Sequence, residues 1–342
     1  MKTTLIAALF ALACPAAALT NRIGASAAEF LRLGAGGRAL GMGEAFTAVA
    51  EGPEASYWNP AGVAHTRSLE LSYTRAELPG GLHHDFMAVA APTTLIGGAV
   101  ALSFTRLSQE SLDRVDATNR NLGQFSPHSE AVAFSYGREF WSDDPSGANQ
   151  SYFGANWGVP NTTHPLAEER EPWAGRFALG ATAKMVREDL GTRSASTFAG
   201  DVGGIFHPVD FHNLILAAAV RHLGGRLRFI SESEPLPAEA AAAAAYDVRF
   251  EDWRLLPAFE ADVPYAGAIY GKLGLEASRR LGRAMWACLR FGYNSRSAVD
   301  LGPMSGLTSG VGVRAGSLAF DVAFQPQAAL GETLRLSVGW RF

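Results

Sequence analysis

The sequence predicts an all-β protein, an antiparallel transmembrane β-barrel, and three observations carry that reading. The first is composition: of 342 residues 18% are charged, 48% are hydrophobic and 37 are glycine, while mean hydropathy is only +0.04. Apolar residues are therefore plentiful but not massed into helical spans, each of which would need about 20 consecutive apolar positions. The second is strict alternation near the C-terminus. Leu334, Leu336, Val338, Trp340 and Phe342 alternate with Arg335, Ser337, Gly339 and Arg341, and the same period recurs over 284–293, 307–314 and 317–325. The third is strand length: segments of about ten residues match the 9–11 needed to cross a bilayer. A soluble β-sandwich shares the alternation, but its solvent face would carry more charge than the Gly, Ala and Ser found here.

In chain order, Lys2 precedes an apolar run from Leu5 to Leu19 that ends in Ala16-Ala17-Ala18. That pattern reads as a secretory signal peptide, residues 1–18, cut after Ala18. Its removal takes Cys14 away and leaves Cys288 alone, so no intrachain disulfide is expected. Met87 to Thr105 is uncharged and competes as a membrane helix, but Pro92 and the pair Gly97-Gly98 break it into two strands with a turn. The run Ala240 to Ala245 is helical by propensity alone. Net charge is −4, so nothing points to nucleic acid as a partner.

Residues 36–64, GGRALGMGEAFTAVAEGPEASYWNPAGVA, closely resemble the opening motif of the PorV/PorQ family, relatives of the FadL-type outer-membrane transporters. Further segments fit in order: SASTFAGDVGGIFHP, LILAAAVRHLGG, EPLP before a strand, and KLGLEASRRLGRAMWACLRFGYNSR. The resemblance implies a 14-stranded outer-membrane barrel, residues 67–342, whose N-terminal segment, residues 19–66, folds back as a plug. Its most specific elements are Gly41, Gly43, and the run Trp58, Asn59, Pro60, Ala61 and Gly62. Gly41 and Gly43 let the backbone pass close to a barrel wall, and Asn59-Pro60 favours a turn out of the lumen. Trp340 and Phe342 supply the signal that barrel assembly machinery reads.

Counting strands independently also gives fourteen: 68–76, 84–92, 95–107, 129–140, 175–187, 195–207, 213–223, 237–248, 253–263, 269–279, 284–293, 307–314, 317–325 and 333–342. The eighth, which holds the alanine run, follows the family pattern over propensity. The connection Trp141 to Ala174 is too long for the short-turn side on which it falls. In the fifth and sixth strands alternation turns Lys184 and Asp201 inward, and pairing about a Glu188–Ser194 turn sets them opposite each other.

Enzymatic signals are weak. Gly34-x-Gly36-x-x-Ala39 mimics a dinucleotide loop without the βαβ unit it requires. His83-His84-Asp85 and His207 with His212 lack metal-ligand spacing and read as solvated turn histidines. No G-x-S-x-G elbow is present. The expected protein is therefore a non-enzyme with no cofactor and no metal, lying in outer-membrane lipid. Two functions survive: an accessory in protein secretion of type IX kind, with secreted cargo or secretion components as partners, or a FadL-like channel for small hydrophobic molecules.

Overall fold

The computed structural model describes residues 26–140 and 176–342, apart from 117, 119, 192, 209–210, 212, 230–232 and 283. The signal-peptide reading, the long 141–174 connection and His212 lie outside the described residues.

Fourteen antiparallel strands form one closed barrel. They are β1 Glu70–Leu78, β2 Leu82–Pro92, β3 Ala99–Gln109, β4 His128–Phe140, β5 Arg176–Asp189, β6 Ser194–His207 and β7 Leu214–Gly224. They continue as β8 Glu239–Tyr246, β9 Trp253–Pro264, β10 Tyr270–Arg280, β11 Met285–Asn294, β12 Leu307–Ala315, β13 Leu318–Pro326 and β14 Glu332–Arg341. Each pairs with its neighbour in sequence, and β1 closes on β14 from Glu70 opposite Arg341 to Glu77 opposite Leu334. Closure leaves no unpaired strand edge, which a barrel in lipid cannot tolerate. We call the rim where β1 begins and β14 ends the near end. Short hairpins, Leu112–Val115 with Asn121–Phe125 and Arg226–Arg228 with Ser233–Pro235, extend from the far end.

Which face is apolar decides between barrel and sandwich. Phe134, Leu179, Phe198, Val202, Leu289 and Phe291 are all exposed on the outside, while Ser135, Thr182, Lys184, Asp201 and Ser337 are buried inside. A soluble sandwich has the opposite polarity. The apolar outer face is that of a lipid-embedded barrel.

The alanine run forms β8, shorter than expected. Ala242 lies between Ala218 of β7 and Ala261 of β9, so the ladder is satisfied on both edges. A helix here would orphan the hydrogen-bonding groups of β7 and β9, and that cost outweighs the small helical preference of alanine. Before β8, Leu236 turns inward and is buried. Residues 87–105 form the end of β2, a turn, and β3, as the proline and glycines predicted.

The lumen is filled by the N-terminal segment. It enters at the far end, where Ala27 N–H donates to the Pro235 carbonyl, and runs through short helical turns at Glu29–Arg32, Gly37–Gly41, Gly52–Glu54, Ala55–Trp58 and Pro60–His65. It leaves beside β1 at the near end.

Candidate functional site

Glycines on the inner wall let this segment pack backbone to backbone. A Cβ on Gly180 of β5 would lie 2.2 Å from the Pro60 carbonyl carbon, and one on Gly292 of β11 would lie 2.0 Å from the Gly43 nitrogen. The segment contributes its own small residues at these crossings. Gly41 passes Arg290 and the Gly310 Cα at 3.2 Å from where its Cβ would be, and Gly43, at φ +63°, faces the backbone of Tyr293 and Leu273. Ala61 is fully buried, and a Cβ on Gly62 would meet the Ala50 carbonyl oxygen at 2.1 Å.

The Trp-Asn-Pro run locks the lower half. Trp58 Nε1 donates to the Ala35 carbonyl at 2.8 Å, and its ring carries the Arg221 guanidinium and the Lys272 ammonium at 5.4 and 5.5 Å. Asn59 is fully buried: its Oδ1 accepts from Ala61 N–H, and its Nδ2 donates to the carbonyls of Thr47 at 3.0 Å and Gly204 at 3.3 Å. It therefore caps the Pro60–His65 turn and ties it to the wall.

Two ionic networks clamp the segment to the strands. In the first, Glu260 Oε2 accepts from the Phe46 and Thr47 N–H groups at 2.9 and 2.8 Å, while Lys272 and Arg221 bridge Glu260, Asp262 and Glu239. In the second, Arg38 pairs with Glu276 and Glu51 at 2.8 Å each, and Arg290 joins Glu276 to Asp321 at 2.7 and 2.6 Å. Such buried pairs add little net stability, but removing one partner of a pair costs about 3–5 kcal/mol. Their effect is to fix where the segment sits. Beside the second network, burial and then the Asp321 carboxylate push Glu54 up to about 7. Arg38, Phe46, Glu54, Arg314 and Trp340 border a cavity of about 100 Å³ at the near end.

Lys184 and Asp201 both point inward, with Nζ 2.5 Å from Oδ2, yet they are not directly opposite. Lys184 faces Ala199 and Asp201 faces Thr182, because the turn closes with Asp189 opposite Ser194, two residues off the expected register. The pair is diagonal. His222 joins it, with Nδ1 3.1 Å from Lys184 Nζ and backbone N–H donating to Asp201 Oδ1 at 2.8 Å.

The histidine reading needs correction. His84 is fully buried rather than solvated, and the period of two sends it inward while His83 pairs with Glu77 and Asp85 with Arg75. His207 is also buried, its ring 6.3 Å from that of His65, which burial and then Arg67 and Arg176 push down to about 3. Among the described residues, no group of three His, Cys, Asp or Glu side chains is placed to hold a metal ion. Trp340 and Phe342 stack at the near rim with ring centroids 4.6 Å apart and half their surface exposed.

Above the Lys184 cluster, the far mouth is apolar. Phe30 and Leu31 of the N-terminal segment pack with Val186, Ala199, Leu227 and Leu236, and Leu107 and Phe229 lie against them. Arg38, Glu276, Arg221 and His222 were not singled out from sequence. For Glu276 and Arg221 the signal was inward phase on a strand, which marks charged residues as lumen-facing; Arg38 lies on a helical turn and His222 at a break in the period, where that signal is absent.

No protein-family model matches the chain, and no curated protein matches it. Solved structures do match. The Pseudomonas putida toluene transporter TodX is 9% identical, over 90% of this chain and 96% of that one, with a TM-score of 0.52. The Ralstonia pickettii toluene transporter TbuX is 10% identical, over 90% and 98%, with a TM-score of 0.51. The monoaromatic hydrocarbon channel CymD is 11% identical over 90% and 98%, also at 0.51. The fold is the one these barrels share. At such identities the likeness extends to fold alone.

Proposed function

We propose that this chain is an outer-membrane channel for small hydrophobic molecules. The observation that carries the reading is the apolar layer at the far mouth, where Phe30 and Leu31 meet Val186, Leu227 and Leu236. An apolar solute gains roughly 25 cal/mol per Å² of surface removed from water, so such a layer is where it would partition. The toluene transporters and the hydrocarbon channel that share the fold support this reading over a role in secretion, which rests on the resemblance of the opening motif.

In this reading residues 1–18 direct export, residues 19–66 act as the plug, and residues 67–342 form the barrel. The plug holds the lumen shut and moves when solute passes, and Trp340 and Phe342 present the chain to the assembly machinery. The test compares a deletion strain with its complemented parent for uptake of a monoaromatic hydrocarbon and for secreted proteins. Lost uptake with an unchanged set of secreted proteins is expected. Normal uptake with missing secreted proteins would overturn the channel and favour the secretion accessory.

A further inference from the structure

The Lys184–Asp201–His222 cluster contains an arrangement that barrel architecture alone does not require. On β7, Arg221 and His222 are adjacent, and ordinary alternation would send one of them into lipid. Both are 1% exposed. The cause is a bulge: Val202 faces Val220 and Gly200 faces Leu223, so Asp201 alone opposes both residues. His222 takes φ +59° at this point, a left-handed conformation that costs a non-glycine residue free energy. Bulges of this kind re-aim side chains and recur beside functional sites.

Hydrogen bonding fixes the state of the ring. The Lys184 ammonium can only donate, so the Nδ1 facing it at 3.1 Å accepts, and the imidazole proton resides on Nε2. Lys184 and Asp201 neutralise each other. Among the described residues, Nε2–H is a buried donor without a hydrogen-bond partner. Beside it lies the Tyr57 ring, with centroids 6.3 Å apart, whose hydroxyl contacts the Leu31 carbonyl beneath the apolar mouth. Val186, two residues above Lys184, and Ala199, opposite it, belong to that mouth layer.

We infer that His222 Nε2–H is the polar anchor of a guest site whose apolar walls are the far-mouth layer. The guest class is a small, neutral hydrophobic molecule with one hydrogen-bond-accepting oxygen, such as an aryl ketone, in preference to a bare hydrocarbon. Charge favours a neutral guest, since the Lys184–Asp201 pair leaves no net charge to offset an ion. This inference rests on the channel reading and narrows its substrate.

The test uses the purified full chain in detergent with ethylbenzene and acetophenone, which differ by a carbonyl in place of a methylene. In His222→Asn, chosen because asparagine tolerates left-handed backbone, the shortened side chain cannot reach the guest. The ratio of acetophenone to ethylbenzene affinity should fall about tenfold relative to wild type, as for one lost hydrogen bond to a buried donor. An unchanged ratio overturns the inference and leaves the channel reading standing, whereas failure of wild type to bind either compound overturns both. Should the variant not fold, the wild-type chain decides by ¹⁵N-histidine NMR. Acetophenone should move one buried Nε2–H resonance downfield and ethylbenzene should not; no movement with acetophenone overturns the inference.

Discussion

Replacing Gly180 with alanine should loosen the N-terminal segment without opening the barrel. The added Cβ would sit 2.2 Å from the Pro60 carbonyl carbon, 2.3 Å from its oxygen and 2.4 Å from the Ala61 nitrogen, where ordinary contact begins near 3.4 Å. The turn and the wall must therefore part by about 1.2 Å. Both surfaces are backbone, so no rotamer change relieves the clash, and the Asn59 bonds to Thr47 and Gly204 stretch with the turn. Overpacking of this kind costs about 1–3 kcal/mol. If opening of the segment limits protease attack, cleavage within residues 34–66 should speed up roughly 5- to 160-fold. The control is Gly271→Ala, whose Cβ would find its nearest atom at 3.8 Å and should leave cleavage unchanged. Equal protection of wild type and Gly180→Ala would refute backbone-to-backbone seating.

Four further outcomes are expected. Lys184→Met should destabilise the barrel by about 3–5 kcal/mol by stranding Asp201, and adding Asp201→Leu should recover only part of it, because the His222 N–H then loses its acceptor; denaturant titration of the two variants checks this. Asn59→Ala removes the side-chain bonds to Ala61 N–H and to the Thr47 and Gly204 carbonyls, costing about 1–3 kcal/mol in the same titration. Glu54 has its folded value raised from 4.5 to about 7, so its favourable contribution is fully present below pH 4.5 and is lost as pH rises through 7. Glu54→Gln should therefore be less protease-sensitive than wild type at pH 8, on the order of 3 kcal/mol, with the difference vanishing near pH 4. Phe342→Ala removes a half-exposed ring, so the heat-modifiability midpoint should barely move; a sharp fall in outer-membrane protein would support an assembly role, and unchanged levels would count against it.

Strand number and phase were legible because lipid and lumen impose opposite demands on alternate residues. Leu179, Ala181 and Ala183 sort from Gly180, Thr182 and Lys184 by phase alone. Register was not legible at β5–β6, since the strands close with Asp189 opposite Ser194 and nothing in the turn's composition chooses between that and a loop two residues longer on one side. His84 escaped because a histidine near a strand end reads as solvated unless its phase is counted. His222 escaped for a deeper reason: a bulge breaks the period of two on which the sorting depends.

The same distinction bears on function. Positions that obey alternation explain how the barrel stands in lipid, and the inward glycines explain how the segment fits. The bulge at Arg221 and His222 serves neither purpose, because an unbulged β7 would pair with β6 without placing His222 at φ +59°. A sequence keeps a costly local conformation where neighbouring structure enforces it and the resulting side-chain placement is used. Arg221 needs no bulge, since it keeps the inward phase of Ile215 and Ala219 and lies opposite Glu239. His222 gains a backbone bond to Asp201, the Tyr57 ring beside it, one ring nitrogen bound to Lys184 and a second that has no partner among the described residues. The bulge therefore serves His222 alone, bringing its ring inward beside Lys184 and Tyr57, where the proposed guest would accept the remaining hydrogen bond.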